Sequence, residues 1–248
     1  MHVLFGILFY TAFFLLAFGL FVKIKQYAKT PAPLKIPTTP APVTKTGVVW
    51  RMITEVVFFN SLWKSNKWIW IFGWLFHLAL LLAFFRHLRY VVPSDWIIYP
   101  LINNWLVLTA GKYGGWIMLF GLVGLFGRRL FVDRVRYISS PSDFAMLLLI
   151  MGIAVTGVLV SFVFKDATAV LQLKAFAIGL LTVNWQPVPD NGLIITHLSL
   201  VLVLMVIFPI SKLLHAPGVF FSPSRNQVDN PREQRHVAAW ARKLESGN

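Results

Sequence analysis

The chain has 248 residues, of which 57% are hydrophobic, 15% aromatic and only 13% charged, against about 25% charged in an ordinary soluble domain. Its apolar residues are grouped in long runs, which excludes a water-soluble fold with half-buried alternating surfaces and marks membrane spans. A net charge of +14 with ten tryptophans could suit a nucleic acid, but the basic residues lie in loops between apolar runs, the distribution of a membrane protein.

Residues 3–22 form an uncharged run long enough to cross a bilayer. No basic residue precedes the run and no small-residue cleavage site follows it, so an anchor is favoured over a secretory signal. Lys23, Lys25 and Lys29 follow directly and predict an N-terminus outside. Residues 30–46 contain five prolines and predict an extended cytoplasmic linker. Residues 48–66 are mixed in character and predict an interfacial helix.

The second span is predicted from about Trp68 to Phe85, extending to Tyr90 with a polar end. Trp96, Tyr99, Pro100 and Trp105 make residues 93–112 an external interfacial segment. A third span follows from about Tyr113 to Leu130, where Gly114, Gly115, Gly121, Gly124 and Gly127 would allow close helix approach. Ser140, Pro141, Ser142 and Asp143 signal the start of a fourth span reaching about Phe164. Residues 168–184 are apolar but short and carry Gln172 and Lys174, which suits a second interfacial or re-entrant piece. The fifth span covers about Leu193 to Leu214, with Pro209 as a bend.

The expected fold is therefore an all-α integral membrane bundle of five transmembrane helices, one domain over 1–248, with a cytoplasmic tail at 216–248. Eighteen Lys and Arg fall in 23–67, 128–143 and 212–248, against five on the other side (Arg86, Arg89, Lys112, Lys165 and Lys174). The count puts the N-terminus outside and the C-terminus in the cytoplasm.

Six histidines are present. His2 and His236 are terminal and read as solvated. His77, His87, His197 and His215 fall in, or at the ends of, only the second and fifth spans. Polar groups in a bilayer are costly and are functional candidates by default. No Asp or Glu lies within the apolar runs to pair with them, so a metal is the simplest partner, and imidazole suits haem iron. The absence of cysteine excludes Cys-ligated clusters and a c-type haem attached through C-x-x-C-H.

On continuous helices, His197 and His215 would share one face about 27 Å apart, and His77 and His87 would lie about 15 Å apart along the axis. The two spans are antiparallel, so His87 is expected to meet His197 near the outer side, and His77 to meet His215 near the inner side. The two separations differ by about 12 Å, which tilted helices, canted haems or the Pro209 bend must absorb. A proton relay through the same histidines is the alternative of another class. A transporter would need internal repeats and interrupted helices in matched halves, and neither is evident.

The two histidine pairs, the stretch RRLFVDRVR (128–136) and the stretch HLSLVLVLMVIFPISKLLH (197–215) resemble the di-haem cytochrome b subunit of respiratory nitrate reductase. The stretch HAPGVFFSPSRNQVDNPREQRH (215–236) and the Pro-rich segment are more similar, within that superfamily, to the DsrM family of the sulfite-reductase-linked DsrMKJOP complex. The resemblance implies two haem b, ligated by His87 with His197 and by His77 with His215. It also implies exchange with menaquinone or ubiquinone in the inner membrane and a role in dissimilatory sulfur metabolism. The partners it implies are a cytoplasmic iron–sulfur subunit similar to heterodisulfide reductase (DsrK), a periplasmic multihaem cytochrome c and further membrane subunits. The cytochrome b subunit of nitrate reductase itself, or of a heterodisulfide-reductase-like complex, is the nearest alternative. Where nitrate reductase subunits carry a quinol-site lysine, this chain has an apolar residue near Leu106 or Val107, with Lys112 nearby. Arg86, Arg89, Tyr90 and Lys112 gather near His87 at the outer surface, where quinone or haem-propionate contacts are one reading and headgroup contacts with snorkelling side chains the other.

Overall fold

Inside a bilayer an apolar run can satisfy its peptide groups only within itself, so it becomes a helix whose exposed ends need polar caps. The computed structural model describes residues 2–30, 37–163, 167–229 and Leu244, and over these it contains helices and no strands. In chain order they are α1 (His2–Lys29), α2 (Lys45–Phe58), α3 (Asn60–Ser65), α4 (Lys67–Val91), α5 (Tyr99–Ile102) and α6 (Trp105–Phe131). After these come α7 (Asp133–Ile138), α8 (Pro141–Phe162), α9 (Ala167–Leu181), α10 (Gly192–Ile207) and α11 (His215–Gly218). Five stretches are long and apolar enough to cross a membrane: Val3–Lys29, Lys67–Val91, Trp105–Phe131, Pro141–Phe162 and Gly192–Ile210.

Polar residues at the caps fix where four of these helices begin. Asn66 Oδ1 accepts from Ile69 N at 3.1 Å, Asn104 Oδ1 from Val107 N at 3.1 Å, and Asn191 Oδ1 from Leu193 N at 3.0 Å. Asp143, in the first turn of α8, accepts from the Ser140 amide at 3.0 Å and from its hydroxyl at 3.1 Å. The same carboxylate pairs with Lys212 at 2.7 Å and with Arg129 at 3.6 Å, so a charge at the mouth of a span is held by two cations.

The cap on α6 corrects one boundary. The third span begins at Trp105, not Tyr113, because Asn104 starts the helix inside the segment that its Trp and Tyr content suggested was interfacial. Lys112 consequently lies on the span, with Nζ 4.7 Å from the centre of the Phe162 ring. The fifth span also differs from the continuous helix assumed in the histidine spacing. Helix α10 stops at Ile207 and gives way to two 3-10 turns, Phe208–Ile210 and Lys212–Leu214, before α11 starts at His215. Pro209 has no amide hydrogen to continue the ladder, so the bend expected there is a break.

The chain divides into two compact units, Met1–Gly19 with Leu62–Lys212, and Leu20–Ser61 with Leu213–Asn248. In the first, α4 packs on α6, α6 on α8, and α8 on α10. Gly111, Gly114, Met118 and Gly121 form the buried stripe of α6. A Cβ at Gly121 would come within 2.8 Å of the Phe72 carbonyl oxygen, and one at Gly114 within 3.4 Å of that of Ala79. Higher numbers on α6 meet lower numbers on α4, so the pair is antiparallel and closely spaced. Gly115 turns the other way, where a Cβ would meet the Val158 side chain on α8 at 2.7 Å. Of the glycines singled out in the sequence, Gly127 faces only Phe131 of its own helix.

A core of Phe76, Ala79, Met118, Leu122 and Ala154 joins α4, α6 and α8. A second core, of Phe5, Ala12, Phe176 and Leu202, joins α1, α9 and α10. Helix α9 has 15 residues, about 22 Å of rise, and is too short to cross a hydrocarbon layer of about 30 Å.

In the second unit, the described parts of the Pro-rich segment and the tail meet each other. Thr38 N donates to Ser224 O at 2.8 Å, and Asp229 N to Pro42 O at 2.8 Å. Glu55 on α2 pairs with Arg225 at 2.8 Å and accepts from the Ser61 amide at 3.1 Å. Helix α2 thus half-buries Arg51, Thr54 and Glu55, while Val49, Trp50, Ile53 and Val56 are exposed. Residues 31–36, Lys165, His236 and most of the tail beyond Asp229 lie outside the described residues.

The close α4–α6 approach gives a stability prediction. Gly121→Val should destabilise the folded protein by about 1–3 kcal/mol through overpacking against the Phe72 and Phe76 backbone. Thermal unfolding in detergent would show the loss, with Gly127→Ala as a variant that leaves the transition unmoved.

Candidate functional site

The antiparallel order of the first unit brings the last turns of α4 beside the first turns of α10. There the rings of His87 and His197 lie with centroids 6.4 Å apart and planes 13° from parallel. The separation is too wide for ring-on-ring contact, which needs about 3.5–4.0 Å between carbon atoms.

Each ring has one nitrogen already engaged. His87 Nδ1 is 2.6 Å from the Ala83 carbonyl oxygen, one turn back on its own helix. A carbonyl can only accept, so Nδ1 carries the hydrogen and Nε2 keeps the lone pair. His197 Nδ1 is 2.8 Å from Thr156 Oγ1 on α8. That hydroxyl lies 2.8 Å from the Gly152 carbonyl oxygen and donates to it, so it accepts from His197, whose Nε2 is likewise the lone-pair nitrogen. Two imidazoles in this state are ready to share one metal.

The other two histidines are arranged differently. His77, on α4, donates from Nδ1 to the Gly73 carbonyl oxygen at 2.7 Å and stands edge-on to Phe76, with ring centroids 4.8 Å apart. Its tautomer is therefore the same as that of His87. His215 is the first residue of α11 in the second unit and is exposed. Among the described residues, no three His, Asp or Glu side chains converge as a protein-only metal cage would require. A metal held in a macrocycle needs only two axial ligands from the chain.

Around His87 lies a concentration of positive charge. Arg86 Nη1 donates to Ser161 Oγ on α8 at 2.9 Å. Arg89 Nη2 donates to the Tyr90 hydroxyl at 2.8 Å, and its guanidinium sits over the Tyr90 ring at 4.8 Å. The Tyr90 ring is 6.0 Å from that of His87. Gly111 admits Arg86 against α6, since a Cβ there would meet the Arg86 Cβ at 2.5 Å. Lys112, the next residue, lies over Phe162, which Tyr113 and Trp116 also contact edge-on.

The four residues singled out beside His87 are thus gathered by the ends of α4 and α8 and the start of α6. Among the described residues no carboxylate pairs with Arg86, Arg89 or Lys112. The Nε atoms of Arg86 and Arg89 are buried without a hydrogen-bond partner there. Such donors suit an anionic or carbonyl oxygen. Thr156, Gly157 and Ser161 were not picked out from the sequence. The available signal was a hydroxyl inside an apolar span, since such groups commonly bond to a neighbouring helix.

The fold and this site define a multi-pass membrane helical bundle with a pair of metal-competent imidazoles held between two of its spans. Residues 42–231 match the nitrate reductase gamma subunit family, and the chain belongs to that family and to the inner membrane. It is 32% identical, over 96% of its length and 83% of the relative's, to a protein of Archaeoglobus fulgidus named Hdr-like menaquinol oxidoreductase cytochrome b-like subunit. A protein of the same name in Archaeoglobus profundus is 29% identical over 93% of the chain and 80% of its own length. The respiratory nitrate reductase 1 gamma chain of Escherichia coli is 28% identical over 57% of this chain and 68% of its own length.

Proposed function

We propose that this chain is a di-haem cytochrome b subunit of the DsrM type, exchanging electrons between the menaquinone pool and a cytoplasmic iron–sulfur partner in dissimilatory sulfur metabolism. The observation that carries the reading is the His87–His197 pair, 6.4 Å apart with both Nδ1 atoms engaged. Family membership and the cytochrome b-like, menaquinol-linked names of the archaeal relatives support it.

On this reading His87 and His197 would hold the outer haem, and His77 and His215, as the resemblance implies, would hold the inner one. Bound haem supplies reversible one-electron exchange, the chemistry that a two-electron quinol needs at a membrane wire. The hydrogen bonds from Nδ1 of His87 and His197 fix each ring and strengthen its donor nitrogen. Arg86 and Arg89 offer guanidinium hydrogens beside His87 to a propionate or a quinone oxygen, Tyr90 holds the Arg89 guanidinium, and Lys112 adds positive charge at the same end.

The surplus of basic residues in 23–67, 128–143 and 212–248 supports an N-terminus outside and a cytoplasmic C-terminus. With no cysteine, the chain cannot build an iron–sulfur acceptor itself. A partner similar to heterodisulfide reductase (DsrK) takes that role, docking on the basic stretch 128–136 and the tail from 216. A multihaem cytochrome c is the periplasmic counterpart. The Hdr-like naming of the archaeal relatives supports a complex of this kind.

A pyridine haemochrome assay on the purified membrane protein should give two b-type haems per chain, and His197→Ala should give one. One haem in the unaltered chain would leave a histidine pair vacant, and none would remove the cytochrome reading in favour of a proton relay. Arg89→Ala should slow haem reduction by a menaquinol analogue about tenfold while dithionite still reduces both haems. An unchanged quinol-driven rate would take Arg89 out of the quinone site.

A further inference from the structure

We propose that Thr156 is a positioning residue for the outer haem, its hydroxyl fixing the plane and donor strength of His197. The inference rests on the haem reading above. His77 and His87 each place their Nδ1 hydrogen on a carbonyl of their own helix four residues back, Gly73 and Ala83. His197 instead reaches across to another helix, where Thr156 Oγ1 lies 2.8 Å from Nδ1. Helix α8 contributes no histidine, yet it holds one of the ligands.

The acceptor is well made. Thr156 is only 8% exposed. Its own hydrogen goes back to the carbonyls of Gly152 at 2.8 Å and Ile153 at 3.0 Å. A hydroxyl that donates in this way is polarised into a better acceptor. The next residue supplies the room: a Cβ at Gly157 would lie 3.2 Å from His197 Cε1 and 3.8 Å from Nδ1. A larger residue there would press on the ring that Thr156 orients.

An acceptor on Nδ1 raises the basicity of the ligating nitrogen, and loss of such a partner weakens metal binding about 10- to 100-fold. The ferric ion, with the greater charge, gains more from a stronger donor. Thr156→Val keeps the shape and removes the acceptor. A tenfold loss confined to the ferric form corresponds to a shift of about 59 mV in a one-electron potential.

The test is a redox titration of the haem spectra of the purified protein, with haem content measured in parallel. In Thr156→Val, one of the two transitions should move positive by about 59 mV while the other stays, and Thr156→Ser should restore it. Loss of one haem from Thr156→Val but not from Thr156→Ser supports the same role through retention. Unmoved transitions in Thr156→Val, or equal loss of haem from both variants, overturns it. The haem reading fails separately, if the unaltered chain binds no haem at all.

Discussion

Hydrocarbon offers no hydrogen-bond partner, and this constraint governs the structure from its helices down to its site. Each span keeps its peptide groups internal, and the spans α4, α6, α8 and α10 begin at Asn66, Asn104, Ser140 and Asn191, where a side chain answers the first amides. The same rule applies to side chains within the spans. His77 and His87 lean on carbonyls of their own helix, His197 on Thr156, and Arg86 on Ser161. Asp143, the carboxylate at a helix start, draws in two cations. What distinguishes His87 and His197 is that their rings, each with Nδ1 so engaged, come within 6.4 Å of each other.

Small residues carry the constraint from one helix to the next. Gly114 and Gly121 let α6 lie close on α4, Gly115 admits Val158 of α8, and Gly152 and Gly157 of α8 receive Leu200 and His197 of α10. Without a hydrophobic driving force between helices in lipid, close packing of this kind holds a bundle together. Two imidazoles on α4 and α10, which are not consecutive spans, therefore owe their spacing to two intervening helices.

The number and character of the spans were legible in the sequence because long uncharged runs have few alternatives. The approach of the His87 and His197 rings to each other was legible too, since consecutive spans alternate in direction and both residues lie near the same end. What escaped were features set by single polar atoms. Asn104 begins α6 amid residues whose aromatic content suggested an interface, and the bend expected at Pro209 is a full break, with α10 ending at Ile207. Thr156 escaped because its importance lies in the neighbour it faces, which hydropathy does not encode. In the second unit, the meeting of the Pro-rich segment with the tail depends on backbone pairs such as Thr38 with Ser224, which no residue pattern announces.

The order of packing has a consequence for biosynthesis. Helices α4, α6, α8 and α10 pack as successive neighbours, so each can settle against its predecessor as the chain leaves the ribosome. His87, with its tautomer set by Ala83, lies on α4 and is made well before its counterpart on α10. The two-imidazole site therefore needs α10 in addition to the neighbours α4, α6 and α8. A nascent chain stopped before Gly192 carries His87 without the ring that faces it.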